Sequence, residues 1–197
     1  MYLAKRVRPD LLVVVSFLTK RVLSPQTDDW KKLVRAIQYL RFTSDMGIVL
    51  EGQQQIQVIA CVYASYGVHQ DMKSHSGCVI GLGGEPVYAK SSSQKINTKS
   101  SQIIWARNFL QERGYTMGPA IVYEDNMSTI ALFKNGKSNS DKTRHIAIRY
   151  FFISDRIMNK EISVNYMPTG DILADVLTKP LQGTLFKKLR DKLLNWN

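Results

Sequence analysis

The alternation of apolar and polar positions changes rhythm along this chain. Over residues 1–45 the rhythm is helical. Pro9 and Asp10 predict a helix start, and the run to Leu23 is apolar on almost every side, as in a buried helix. The stretch SPQTDDW stacks start signals: Pro25, Thr27 as N-cap, then two acids in the first turn. Trp30, Leu33, Val34, Ile37 and Leu40 follow at helical spacing. The pattern predicts a helical hairpin with one face to bury.

Residues 47–55 break that rhythm, and strands follow. QVIACVYAS reads as the first strand. SGCVIGLGGEPVYAKSS reads as a hairpin turning at Gly83-Gly84. SQIIWARNFLQERG predicts a helix that ends at Gly114. PAIVYEDN is a short buried strand running into the helix MSTIALFKNG. RHIAIRYFFISDRIMNK predicts a longer amphipathic helix, and EISVNYMP alternates as a strand. DILADVLTKPL and TLFKKLRDKLLNW predict terminal helices. Hairpin-linked strands followed by strand–helix–strand crossovers imply an α/β fold: a mixed sheet with helices on both faces. That order alone fixes no function.

Composition narrows the class of partner. The 197 residues are 44% apolar, enough for a sizeable core. Lys and Arg outnumber Asp and Glu by 27 to 16, giving a net charge of +11. Such an excess suits a polyanion, most simply nucleic acid. Cys61 and Cys78 sit in apolar strand-like runs, and no Cys/His spacing suits zinc, so a reducing compartment is expected. The most apolar run, LLVVVSFL, is too short to span a bilayer and has no small-residue cleavage site.

Acids at strand ends are the first candidates for chemistry, because several can converge there on a metal. Asp125 follows the strand AIVYE and precedes a helix, so from position alone it is also a candidate N-cap. Asp175 lies among Leu173, Ala174, Val176 and Leu177, where an acid is ordinarily solvated. His145 reads as a surface or helix-start residue, and His69 and His75 as part of a polar loop around QDMKS. Lys90, Lys95 and Lys99 cluster around AKSSSQKINTKSS, as a solvated loop or as a strip of phosphate contacts.

Several segments taken together carry a resemblance. YLAKRVRPDLL, SPQTDDWKKLVRAIQYLRFT, KSHSGCVIGLGGEPVYAKSSSQK, YEDNMSTIALFKNG, TRHIAIRYFFISDRI and YMPTGDILADVLTKPL resemble, in order and spacing, the C-terminal part of copia-type LTR retrotransposon Pol polyproteins. The resemblance implies an RNase H-like mixed five-stranded sheet flanked by helices, preceded by an N-terminal helical hairpin. Residues 1–52 would be the helical tail of a reverse transcriptase and residues 53–197 the RNase H-like domain. The polymerase palm would lie before Met1.

The implied activity is hydrolysis of RNA in RNA–DNA hybrids, by four carboxylates holding two Mg²⁺ ions. Carried over residue by residue, the third carboxylate matches Asp125 in YEDN and the fourth matches Asp175 in ADVLTKP. These two would be the catalytic and metal-binding residues. The first carboxylate position falls on Tyr63, in CVYAS. The second, a helix Glu, has no counterpart, because NTKSSQIIWARNFL runs straight through. The resemblance therefore implies an internal deletion near 101–102 of about a dozen residues, ~18 Å of helix. Lys90, Lys95, Lys99 and Arg144 are the candidate nucleic-acid contacts. The implied partners are RNA–DNA hybrid and other Pol parts, and the implied setting is intracellular, cytoplasmic or nuclear. Three readings stay open: an impaired nuclease, a basic nucleic-acid-binding module, and a relic without function.

Overall fold

The computed structural model describes residues 2–52, 56–65, 75–93, 99–135 and 152–195. The N-terminal region contains α1 (Tyr2–Arg6), a 3-10 turn (Pro9–Leu11), α2 (Leu12–Thr19) and α3 (Thr27–Phe42). Then come β1 (Val58–Ser65), β2 (His75–Leu82), β3 (Glu85–Ser93), α4 (Lys99–Glu112), β4 (Ala120–Glu124) and α5 (Met127–Asn135). Residues 152–158 form α6. The chain closes with β5 (Ile162–Tyr166), a 3-10 helix (Leu173–Leu177) and α7 (Gly183–Leu194).

The five strands make one mixed sheet in the order β3-β2-β1-β4-β5. β1 and β2, and β2 and β3, pair antiparallel, whereas β1–β4 and β4–β5 are parallel. The mixed sheet flanked by helices is thus as expected. Gly83 and Gly84 make the hairpin turn with φ of +62° and +101°, a backbone that glycine adopts without strain. Gly114, at φ +91°, ends α4 as its position implies.

Alternation along β1 sorts its side chains onto two faces. Val58, Ala60 and Val62 face one cluster with Cys78, Ile80 and Ile103 of α4. Beside it, Ile130 of α5 and Ile157 of α6 cover Ile162 and Val164 of β5. Cys61 and Tyr63 face the other cluster, where Ala4, Leu11 and Leu12 meet Ile172, Leu177, Leu189 and Leu193. The N-terminal helices therefore share a core with the sheet and α7. α4 runs unbroken through residues 101–102, and Ile103 is buried on the sheet. Both cysteines are buried, and neither forms a disulfide. No helix among the described residues is long and apolar enough to cross a membrane.

Three local expectations are corrected. α2 stops at Thr19, and Val22 and Leu23 are exposed. Gln26, not Thr27, caps α3, completing a capping box with Asp29. Within DILADVLTKPL the expected helix is present as a short 3-10 helix. Most of the apolar stripe of α3 is turned outward, with Trp30 65% and Ile37 57% exposed, while Leu40 packs on the core. The opposite side of α3 is held inward by polar anchors. Arg21 Nε donates to Asp29 Oδ2 at 2.7 Å, and Tyr39 Oη donates to Asp10 Oδ2 at 2.6 Å.

Candidate functional site

Two sequence-selected positions, Tyr63 and Asp175, lie on one face of the sheet, and a third, Asp125, follows the neighbouring strand. Cys61 of β1 pairs with Tyr123 of β4 in parallel register. Two residues further on, Tyr63, still within β1, is level with Asp125, which follows β4. The 3-10 helix Leu173–Leu177 packs on β1 and β2 and brings Asp175 to this face. Its approach depends on Gly77 of β2. A Cβ there would collide with the Ala174 carbonyl oxygen and lie 2.9 Å from Leu177 Cβ and Thr178 Cγ2. Gly77→Ala is expected to destabilise the fold by about 1–3 kcal/mol through overpacking. Urea unfolding would measure it, and an unchanged midpoint would show that the segment yields freely.

Asp125 is not the helix cap. Asn126 takes that role, its Oδ1 accepting from the Thr129 amide at 3.2 Å. The carboxylate of Asp125 instead accepts from Thr169 Oγ1 at 2.7 Å. Asp175 is not solvated as its neighbours suggest: it is 2% exposed. Its Oδ1 lies 2.8 Å from the Lys179 ammonium. The Lys179 amide bonds the Asp175 carbonyl at 3.1 Å, so one extra turn after the 3-10 helix folds the lysine back over the acid.

Lys179 also donates to Tyr63 Oη at 2.7 Å, and its Nζ lies 4.3 Å from the centre of the Tyr63 ring. Burial opposes the charge on Lys179, but the bonds to Asp175 and Tyr63 outweigh it and hold its pKa above the ordinary lysine value. The cluster is thus a carboxylate, an ammonium and a phenol. Lys179 was not singled out in the sequence, although its four-residue spacing from Asp175 is visible there.

The remaining candidates are placed differently. Lys90 is half-buried on edge strand β3, opposite Cys78. Lys99 opens α4. Lys95, Arg144, His69 and His145 lie outside the described residues. His75 is not in a loop: it begins β2, fully buried, with Nε2 2.7 Å from Ser91 Oγ and its ring 5.2 Å from that of Phe17.

The donor set does not fit a two-metal centre. Among the described residues no three His, Cys, Asp or Glu side chains gather where they could hold a metal ion. Asp175 is engaged by an ammonium, and Tyr63 places a bulky phenol, itself bonded to Lys179, where the carboxylate-rich site of Mg²⁺ would need an acid.

No family model matches the chain. Individual relatives do. The retrovirus-related Pol polyprotein from transposon RE2 of Arabidopsis thaliana is 31% identical over 94% of this chain. That from transposon RE1 of the same plant is 30% identical over 94%, and that from transposon TNT 1-94 of Nicotiana tabacum is 26% identical over 97%. The chain spans only 14% of the length of the two Arabidopsis proteins. Among solved structures, an RNase H1 isolated from compost matches with a TM-score of 0.42 at 16% identity, covering 64% of this chain and 94% of that one. The foamy viral protease-reverse transcriptase in complex with RNA/DNA hybrid matches with a TM-score of 0.40 at 16% identity, covering 79% of this chain and 26% of that one. Along nearly its whole length, the chain is homologous to a segment of the copia-type retrotransposon Pol polyproteins.

Proposed function

We propose that this chain is the RNase H-like segment of a copia-type Pol that keeps a basic nucleic-acid-binding scaffold and has lost two-metal cleavage. The observation that carries this reading is the Lys179 ammonium between Asp175 and Tyr63. The resemblance requires carboxylates at both Tyr63 and Asp175, gathered around divalent cations. Here a fixed positive charge stands against Asp175 instead. Two unit charges about 4 Å apart repel by roughly 4 kcal/mol at an effective dielectric of 20, and a divalent ion roughly doubles this. Asp125 and Asp175 would then be remnants of the catalytic set, with at most a weak hold on Mg²⁺.

The inferred deletion near 101–102 supports the same reading, because it removes the helix Glu. Gln102, at that junction, has a buried side-chain oxygen with no hydrogen-bond partner among the described residues. Residues 1–52 would descend from the tail of a reverse transcriptase, and in this chain they serve the same core as the sheet. The net charge of +11 supports a nucleic-acid partner, an RNA–DNA hybrid by family analogy.

One gel tests the proposal. The protein is mixed with labelled RNA–DNA hybrid in Mg²⁺ and, separately, in Mn²⁺, with Asp125→Asn as control. The expected result is a shifted, uncut hybrid whose shift weakens steeply with salt. Cleavage that disappears in Asp125→Asn would refute the loss of chemistry. Neither shift nor cleavage would refute the binding scaffold.

A further inference from the structure

A cleft of about 1140 Å³ opens between α2, α3, the segment 179–182 and α7. Its floor is apolar, including Val14, Phe17 and Leu18 from α2 with Leu181 and Phe186 from the C-terminal side. Its rim is cationic, including Lys20, Lys32, Arg35, Lys187 and Arg190. Three carboxylates reach it, and each is already matched. Asp10 pairs with Arg8 at 2.8 Å, Asp28 with Lys32 at 3.0 Å and Asp29 with Arg21 at 2.7 Å. Exposed Arg35 and Lys187 have no carboxylate partner among the described residues. The cleft therefore offers apolar surface bounded by positive charge, with Arg35 and Lys187 left to receive an acidic ligand.

Charge complementarity calls for an acidic occupant, and the floor decides its kind. Nucleic acid would satisfy the rim but would lay hydrated phosphates across Phe17, Leu18 and Phe186, with nothing to repay their desolvation. An amphipathic helix satisfies both surfaces. A helix about 10 Å across, rising 1.5 Å per residue, fills such a volume with roughly ten residues, or three turns.

We propose that this cleft binds an acidic amphipathic helix of a partner protein, its apolar face on Phe17, Leu18 and Phe186 and its carboxylates on Arg35 and Lys187. The inference is independent of the loss of metal chemistry, because it uses neither Asp125 nor Asp175.

The test uses the full chain and a labelled synthetic helix with leucines along one face and glutamates on both flanks. Fluorescence anisotropy compares it with a peptide carrying lysine in place of every glutamate. The glutamate peptide is expected to bind at least tenfold more tightly. Arg35→Glu combined with Lys187→Glu, both on exposed positions, is expected to reverse that preference. Leu18→Lys should abolish binding of either peptide. A circular dichroism melt of each variant separates lost binding from lost fold. Equal affinity for the two peptides would overturn the proposal. So would full displacement by a single-stranded oligonucleotide, which would make the cleft a phosphate site. A chain dimer dissociated by the peptide would overturn it too, since the occupant would then be a second copy.

Discussion

Residues 53–197 produced without the first 52 are expected to show no cooperative thermal melt, whereas the full chain melts in one transition. Leu11 and Leu12 are 8% and 3% exposed, and both sit in one cluster with Ile172, Leu177, Leu189 and Leu193. Removing the N-terminal helices uncovers these partners, at ~2 kcal/mol for each large apolar side chain returned to water. A handful of such losses matches a domain's whole margin of about 5–15 kcal/mol. Backbone connections are lost as well. The Val49 amide donates to the Leu194 carbonyl at 2.8 Å, and the Glu51 amide to Glu85 Oε1 at 3.0 Å. A fragment that melts cooperatively within a few degrees of the full chain would show that the shared core adds little.

This prediction separates descent from packing. The resemblance divides the chain at 52/53, but no gap in the core follows that division, since Ala4 and Leu12 pack in the cluster that contains Cys61 and Val79. Expected consequences extend to the candidate site, because the same cluster includes Tyr63 and the segment carrying Asp175. Loss of the N-terminal helices would loosen the face on which Lys179 meets both residues.

Local signals read well from the sequence where a single residue dictates geometry. Gly83-Gly84 forces the hairpin, Gly114 ends α4, and the alternation in EISVNYMP is that of a strand with one covered face. The outward turn of α3 was not legible. A stripe of Trp30, Leu33 and Ile37 states that an apolar face exists, but not which way it points. That direction is set by Asp29 and Tyr39, whose partners Arg21 and Asp10 lie outside the helix. The candidate site was legible by half. Tyr63, Asp125 and Asp175 were singled out through the resemblance; Tyr63 and Asp175 are joined through Lys179, whereas Asp125 bonds Thr169. Lys179 was missed because its phenolic partner is 116 residues away in sequence. Burial of Asp175 was missed for a related reason: apolar neighbours do not reveal whether an acid has a cation folded back over it.

Asp10→Asn is expected to cost about 3–5 kcal/mol of stability, because it strands a buried cation. Arg8 is 2% exposed and Asp10 5%. Arg8 Nε and Nη2 donate to the two oxygens of Asp10 at 3.0 and 2.8 Å, a two-pronged pair. The other prongs of the guanidinium bond the Thr43 carbonyl at 2.6 Å and the Thr43 hydroxyl at 2.8 Å. Asp10 thus sits between Arg8 and Tyr39 and ties the start of the chain to the end of α3. An asparagine keeps the shape but not the charge, so Arg8 would face a low-dielectric interior with only neutral acceptors. Replacing both partners by apolar residues, Arg8→Met with Asp10→Leu, is expected to recover much of the loss, since neither buried charge then remains. Tyr39 and Thr43 would still lose partners, at about 1–3 kcal/mol for each polar group left unsatisfied. Chemical denaturation of the wild type, both single variants and the double variant gives the coupling directly. A loss below about 1 kcal/mol for Asp10→Asn would mean that water reaches Arg8 and that the network does not hold the N-terminal helices in place.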